Sequence, residues 1–398
     1  MNPPAVIVLL LALLLGIQPV TTDVYLPALP SIQDSFAASM AQIQLTFSGL
    51  LLAFGVSQMV WGPLSDRIGR RPVLLWGMAL YTLASVGAML APAMGWLIAW
   101  RVLQGAAMGA AVMCARAIVR DVYRPLEGAR VMSKGLSGLG IIAVLAAPLG
   151  SLMTELVGWR AAMAVPALFG AGTLALVALR FDETLAVRNP AALNPGTLLR
   201  SWGLIARHPT FNTYSLLSTA SYAALFTFLA SSSFVLLRIL GVSKTGYGAI
   251  MAVLSALYIV GTIICRRLLA RWGVRRAVAL AGGITFTAGL LHCALTFFGW
   301  GESWYGAWAL VIPQGLFMLA HGVHQPCAQS GAVGPFPSMA GAASALNGFF
   351  MMAVAFPIGL WIGQAMDGTP RPMAYGIAFW CGVIALTAWT WVQKYGER

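Results

Sequence analysis

The sequence predicts an all-α integral membrane protein, with twelve transmembrane helices in two pseudo-symmetric six-helix bundles. Three observations carry that expectation. Of 398 residues, 59% are hydrophobic and 9% charged, with a mean hydropathy of +0.82; a water-exposed surface needs several times that charged fraction. Apolar stretches long enough to cross a hydrocarbon core of about 30 Å recur twelve times. "SDRIGRRPVLLWG" (65–77) returns in worn form as "LARWGVRRAVALAG" (269–282), offset by 204 positions, close to half the chain. Such an offset marks two related halves.

The spans are read at 5–29, 41–62, 72–92, 95–120, 128–153, 158–180, 209–238, 245–269, 276–298, 304–329, 339–364 and 373–394. The first lacks a preceding Lys or Arg and a small-residue cleavage site, so it is expected to be kept and not removed as a signal peptide. The bundles are expected over 1–180 and 209–398, joined by a polar connection, 181–208, that Asn189, Pro190, Asn194, Pro195 and Gly196 interrupt. Within it, "TLLRSWGLIARH" (197–208) sets Leu198, Leu199, Trp202 and Ile205 against Arg200 and Arg207. That pattern predicts an amphipathic helix along the inner membrane surface.

The net charge of +13 sits between apolar segments and not on one interleaved face. It therefore reports topology, and no nucleic-acid partner is expected. With the N-terminus inside, 18 Lys and Arg fall in cytoplasmic loops and four (Arg160, Arg238, Lys244, Arg371) outside. The expectation is a multi-pass protein of a bacterial inner membrane, both termini cytoplasmic. The five cysteines lie within spans without metal-type spacing, so neither a disulfide nor a metal site is indicated.

"GPLSDRIGRR" (62–71) resembles the signature loop of the major facilitator superfamily, with Gly62, Asp66, Arg67, Gly69, Arg70 and Arg71 in place, and "RVLQGAAMGAA" (101–111) resembles its fourth-helix motif. "TDVYLPALP" (22–30), "RAIVRDVY" (116–123) and "SSSFVL" (231–236) are similar to the bicyclomycin and chloramphenicol resistance branch of twelve-helix drug/proton antiporters. The fifth-helix motif departs: "AAPLGS" (146–151) keeps Pro148 and Gly150 but not the usual Gly-Pro with its glycine pair. The resemblance implies the major facilitator fold, and proton-driven export of drugs or small amphipathic compounds by alternating access. It associates Asp23 and Arg101 with proton coupling.

A carboxylate within a span costs a few kcal/mol on insertion scales, and it usually faces water or a partner. Asp23 is the one acid placed inside a span, and Arg101 the one deep base; the alternative is an Asp23 hydrated at the outer headgroup boundary. At 1.5 Å per residue both lie roughly 10 Å below the outer face. The two are expected to meet, so that substrate and proton compete for one charged place. No Walker-type run is present, so no nucleotide cofactor is expected and the proton gradient is the drive.

The resemblance places the first, fourth, seventh and tenth helices around a central cavity. The substrate-binding candidates are Gln18, Thr22, Asp23, Tyr25, Gln104, Met108, Tyr222, Phe226, Gln314, Phe317 and His321; each apolar one has helix packing as its alternative. His321 and His324 are expected on one face of the tenth helix, as proton relay, substrate ligands or hydrogen-bonded structural histidines. Asp66, Arg67, Arg70, Arg71 and Asp121 are the gating candidates. Asp66 is expected to cap its helix or pair with the opposite half, and one of the arginines to meet Asp121. The expected partners are a small-molecule drug or metabolite, protons and the lipid bilayer, in a monomer. Uptake of a solute together with protons is the alternative on the same fold; a membrane enzyme has no use for two repeated halves.

Overall fold

The computed structural model describes residues 4–299 and 306–396. Every regular element among them is helical. In order they are α1 (Pro4–Thr22), α2 (Leu29–Phe36), α3 (Met40–Ile68), α4 (Arg70–Met89), α5 (Met94–Val122), α6 (Pro125–Leu156), α7 (Trp159–Arg180), α8 (Pro195–Ala206), α9 (Pro209–Ser233), α10 (Lys244–Phe297), α11 (Gly306–Val333), α12 (Ala340–Ala365), α13 (Arg371–Trp389) and α14 (Trp391–Tyr395). A π-helical turn, Phe234–Ile239, extends α9.

Eleven of these stretches are long and apolar enough to cross a membrane, and one must count twice. α10 has 54 residues, about 80 Å of helix, against a bilayer core of about 30 Å. It turns back at Gly273, whose φ of +71° is open to glycine without a side-chain clash. Twelve crossings result. The expected start of the tenth span at 304, and the terminal Glu397 and Arg398, lie outside the described residues.

The first span differs most from expectation. Instead of running to residue 29, α1 stops at Thr22, six residues before Ala28; the chain turns through Asp23–Tyr25 and a 3-10 turn (Leu26–Ala28), then continues as α2 to Phe36. Pro27 and Pro30 remove two main-chain donors, so the α-helical ladder cannot run unbroken through this stretch. Gly150 of α6 lies against the Val24 carbonyl, where a β-carbon would collide with it. Pro148 sits inside an unbroken α6.

The two bundles close on each other at the end opposite the arginine-rich loops. There Arg238 Nη2 donates to Asp34 Oδ1 (2.5 Å) and the Pro30 carbonyl (2.9 Å), Gln44 Nε2 donates to the Ala230 carbonyl (2.6 Å), and Thr245 donates to Glu155. Phe47 and Phe226 stack across the same seam, 5.2 Å between ring centres. Toward the arginine-rich end, cross-bundle contact thins to close packing such as Gly55 against Met352, and a hydrogen bond from Arg116 to Ser344.

The connection between bundles is divided in its attachments. Its first residues bind the first bundle: the Phe181 carbonyl accepts from Arg71 Nε (2.8 Å), and Asn189 N–H donates to the Asp66 carbonyl (2.9 Å). α8, N-capped by the Asn194 side chain, packs on α9 and α12 and buries Ile205. In the second bundle, Cys265 and Cys327 bring their sulfurs to 3.7 Å as free thiols.

Candidate functional site

A cavity of about 360 Å³ lies between the bundles. It is lined from α1, α3, α5 and α6 on one side and α9, α10, α11 and α12 on the other. Its lining reaches Val333, the last residue of α11, so it extends toward the arginine-rich end. Asp23 lies near its closed end and is the one carboxylate among the lining residues. Counted along the chain from Phe36, Asp23 is about 20 Å from the end of the first span, deeper than expected.

The break after Thr22 explains how acid and base are arranged. In a continuous helix the Thr21 carbonyl would accept from the Tyr25 N–H, but that N–H turns to the Thr22 carbonyl (3.2 Å). The freed Thr21 carbonyl is taken by Arg101, whose Nη1 and Nη2 each lie 3.2 Å from it. Arg101 also donates to Gln104 Oε1 (2.7 Å) and, at 3.4 Å, to the Thr46 carbonyl, and its guanidinium lies 4.0 Å from the centre of the Tyr25 ring. It is wholly buried. Tyr25 Oη bonds Thr46 Oγ1 (2.6 Å), Thr21 Oγ1 bonds Tyr81 Oη (2.6 Å), and Gln104 Nε2 donates to Ser85 Oγ (2.7 Å). A polar knot thereby joins α1, α3, α4 and α5 behind the broken helix.

The expected direct meeting of Asp23 and Arg101 is not formed. Asp23 makes no ion pair within 4.0 Å among the described residues; its Oδ1 accepts from Thr22 Oγ1 at 2.7 Å. Thr21 Oγ1 bonds Tyr81 in the knot, and Asp23, in the turn just past the end of α1, lines the cavity. Acid and base thus grip the same break from opposite sides.

At the arginine-rich end, Arg70 is 2% exposed and holds two acids: Asp66 Oδ1 at 2.6 Å and Asp121 through Nε at 2.8 Å and Nη2 at 3.3 Å. Asp66 therefore pairs within its own bundle, with the arginine one helical turn on, and not with the opposite half as one expectation had it. Arg71 binds the Phe181 and Ala178 carbonyls, and Arg67 is exposed. Glu183 is a participant that sequence reading missed. Its carboxylate accepts from the N–H groups of Arg70 (2.9 Å) and Arg71 (3.1 Å), capping α4 where the orphan donors and the helix dipole favour a negative charge. Gly69, at φ +111°, lets that carboxylate approach, and a β-carbon there would strike Glu183 Oε2. Gly69→Ala should cost about 1–3 kcal/mol from backbone strain alone; a fall in detergent melting temperature relative to the parent checks it.

A family comparison matches residues 11–360 to the Major Facilitator Superfamily. The chain belongs to the major facilitator superfamily. The transporter is 30% identical over 347 residues to multidrug resistance protein D of Escherichia coli strain K12, covering 86% of this chain and 84% of that one. It is 28% identical over 369 residues to the chloramphenicol resistance protein of Pseudomonas aeruginosa, covering 91% and 84%. Among solved structures, a bacterial homolog of the human lysosomal transporter Spinster, in an inward-facing and occupied conformation, superposes with a TM-score of 0.73 over 99% of this chain and 97% of that one, at 16% identity.

Of the transporter's expected substrate residues, the cavity wall includes Gln18, Thr22, Asp23, Tyr222 and His321. Six do not line it. Tyr25 and Gln104 belong to the knot, Met108 is packed in the first bundle, Phe226 stacks on Phe47, Phe317 stacks behind His321, and Gln314 is buried in the second bundle. On α5 the physical reason is depth, since that helix reaches the cavity at Val112 and Arg116, whereas Phe226 and Phe317 stand level with the lining residues Leu225, Phe228 and Met318 and face away from it. His321 and His324 do not share a face in use. His321 Nδ1 lies 2.7 Å from Ser221 Oγ at the cavity, while His324 Nε2 lies 3.1 Å from Thr285 Oγ1, inside the second bundle.

Sequence reading missed Gln58, Arg116, Tyr258, Gln325, Gln329 and Asn347, which supply much of the polar wall. A signal for part of this was present. His321, Gln325 and Gln329 recur every four residues, a polar stripe along one face of the helix.

Proposed function

We propose that the transporter exports drugs or small amphipathic compounds of phenicol or bicyclomycin type in exchange for protons, by alternating access, with its arginine-rich end in the cytoplasm of a bacterial cell. The observation that carries this is Asp23 at the closed end of a cavity that it alone supplies with a carboxylate. A proton and a drug that needs the ionised acid exclude each other there, so each carries the protein through opposite halves of a cycle. The names of the relatives support drugs as cargo, and the basic loops support the orientation. The Arg70–Asp66–Asp121–Glu183 cluster is positioned to stiffen the inner end of the first bundle while the bundles rock.

The test uses inverted membrane vesicles acidified inside by respiration. Chloramphenicol or bicyclomycin should discharge the pH gradient, read with a fluorescent amine, while the drug accumulates in the lumen. Discharge accompanied by drug leaving the lumen would mean uptake with protons and overturn the proposal.

Arg116 sets a second polarity in the same cavity. It bonds Ser344 across the bundles on the side toward the arginine-rich end, about 22 Å of helix below Arg101. Arg116→Gln should weaken export of compounds bearing nitro or acidic groups about tenfold, since a hydrogen bond to a charged group contributes about 1.5–3 kcal/mol. Cationic dyes should be spared, and parallel efflux assays with both classes check it.

A further inference from the structure

We propose that a column of buried polar side chains inside the second bundle is a water-filled proton path that ends at His321 in the cavity. It rests on the exchange reading for its driving gradient and makes the column the way a proton reaches the cavity where Asp23 takes it up, so that column and acid act in series.

Beyond Gly273, α10 carries Thr285, His292 and Thr296, and α11 runs antiparallel beside it with Gln314, His321 and His324. His321 is 4% exposed and the other five are 0% exposed. Thr296 is one residue from the end of α10; His292 stands beside Gln314, His324 bonds Thr285, and His321, one helical turn away, opens on the cavity. Three of the chain's four histidines thus follow one line.

The hydrogen bonding along this line is not closed by protein. His292 and Gln314 face each other without a well-aligned hydrogen bond, Thr296 Oγ1 has none among the described residues, and His324, held at Thr285 and the Ala281 carbonyl, leaves its Nδ1 open. Each such atom left dry bears the full desolvation penalty of an unpaired polar group, and a lipid-surrounded bundle offers no bulk water to relieve it. Buried polar groups in this state are met by ordered water, each molecule making about three hydrogen bonds.

His292 and Thr285 stand seven residues apart, about 10 Å along α10, so water has to bridge that gap for donors and acceptors to run without a break. An imidazole in such a chain takes a proton on one nitrogen and releases one from the other, so charge moves while every atom is conserved. Nothing nearby traps the proton: residues 277–297 and the whole of α9, α11 and α12 contain no Asp, Glu, Lys or Arg, and α13 has only Arg371 at its first residue. The remaining ionisable groups on these elements are the thiols Cys293, Cys327 and Cys381, the last beside Gly289, and the phenols Tyr214, Tyr222 and Tyr375, while Tyr258 of α10 packs on the His321 ring.

The test is solid-state NMR of the full-length protein, labelled with ¹⁵N-histidine, in lipid bilayers. Magnetisation from water should reach the ring nitrogens of His292 and His324 as fast as it reaches cavity-lining His321; water contact at His321 alone, with His292 and His324 dark, overturns the proposal. In the vesicle assay, His292→Leu should slow drug-driven proton discharge at least tenfold with drug affinity within twofold of the parent. Discharge within twofold of the parent overturns it. If that variant fails to reach the membrane, Gln314→Leu and Thr296→Val dry the same column and carry the same expectation. Asp23→Asn should stop exchange yet leave the water contact at His292 intact, so failure of the exchange reading and failure of this one are told apart.

Discussion

Asp23→Asn should abolish accumulation of drug against a gradient, lowering proton-driven transport about 100-fold or more, the upper range of coupling between two ligands of one protein. Asparagine matches aspartate in size and still accepts from Thr22 Oγ1, so the hydrogen bond at 2.7 Å has a successor and the fold should persist. What disappears is the only group on the cavity wall that exchanges a carboxylate charge for a proton. Drug binding and downhill equilibration should therefore survive while uphill movement stops. Everted vesicles report both: labelled drug should equilibrate across the membrane but not concentrate, and a pH gradient should persist when drug is added. Full uphill export by this variant would remove Asp23 from the mechanism.

Arg101→Ala should cost about 3–5 kcal/mol of stability, by combining a large buried void with acceptors left unbonded. The side chain is wholly buried and lies over Tyr25. Its loss orphans the Thr21 carbonyl at the helix break and the Gln104 amide oxygen, and removes a longer contact to the Thr46 carbonyl. Lysine should not rescue, because a single ammonium on a flexible stem cannot fork between the Thr21 carbonyl and Gln104 as a planar guanidinium does. Both variants should melt well below the parent in detergent and transport poorly. A lysine variant with parental melting temperature and transport would show that charge, and not the fork, is what the break needs.

The difference between these two outcomes follows from what the sequence could and could not convey. Hydropathy and the arginine pattern made the crossings legible because a bilayer imposes one length and one solvent on every span. The broken first helix was half-legible: Pro27 and Pro30 announce an interruption, but its start at Thr22 depends on Arg101 and Gly150 arriving from other helices. The same dependence hid the site. Depth counted along isolated helices put Asp23 and Arg101 at one level, yet whether they face each other is decided by the turn the chain takes after Thr22, which leaves Asp23 on the cavity wall. Glu183 looked like one more loop acid because its partners, the N–H groups of Arg70 and Arg71, exist as open donors only once α4 begins there. Arg116 and Asn347 belong to helices whose inward faces emerge only when the bundles meet.

The attachments of the inter-bundle connection limit how those bundles can part. Up to Asn189 the chain is fastened to the first bundle, and from Asn194 onward α8 rides on the second. Only the short run between them is free to pay out, a leash that spans at most about 17 Å when fully stretched. Tilting of one half on the other is within its reach at every stage, whereas any excursion that slides them apart along the membrane normal by half a bilayer would pull it taut.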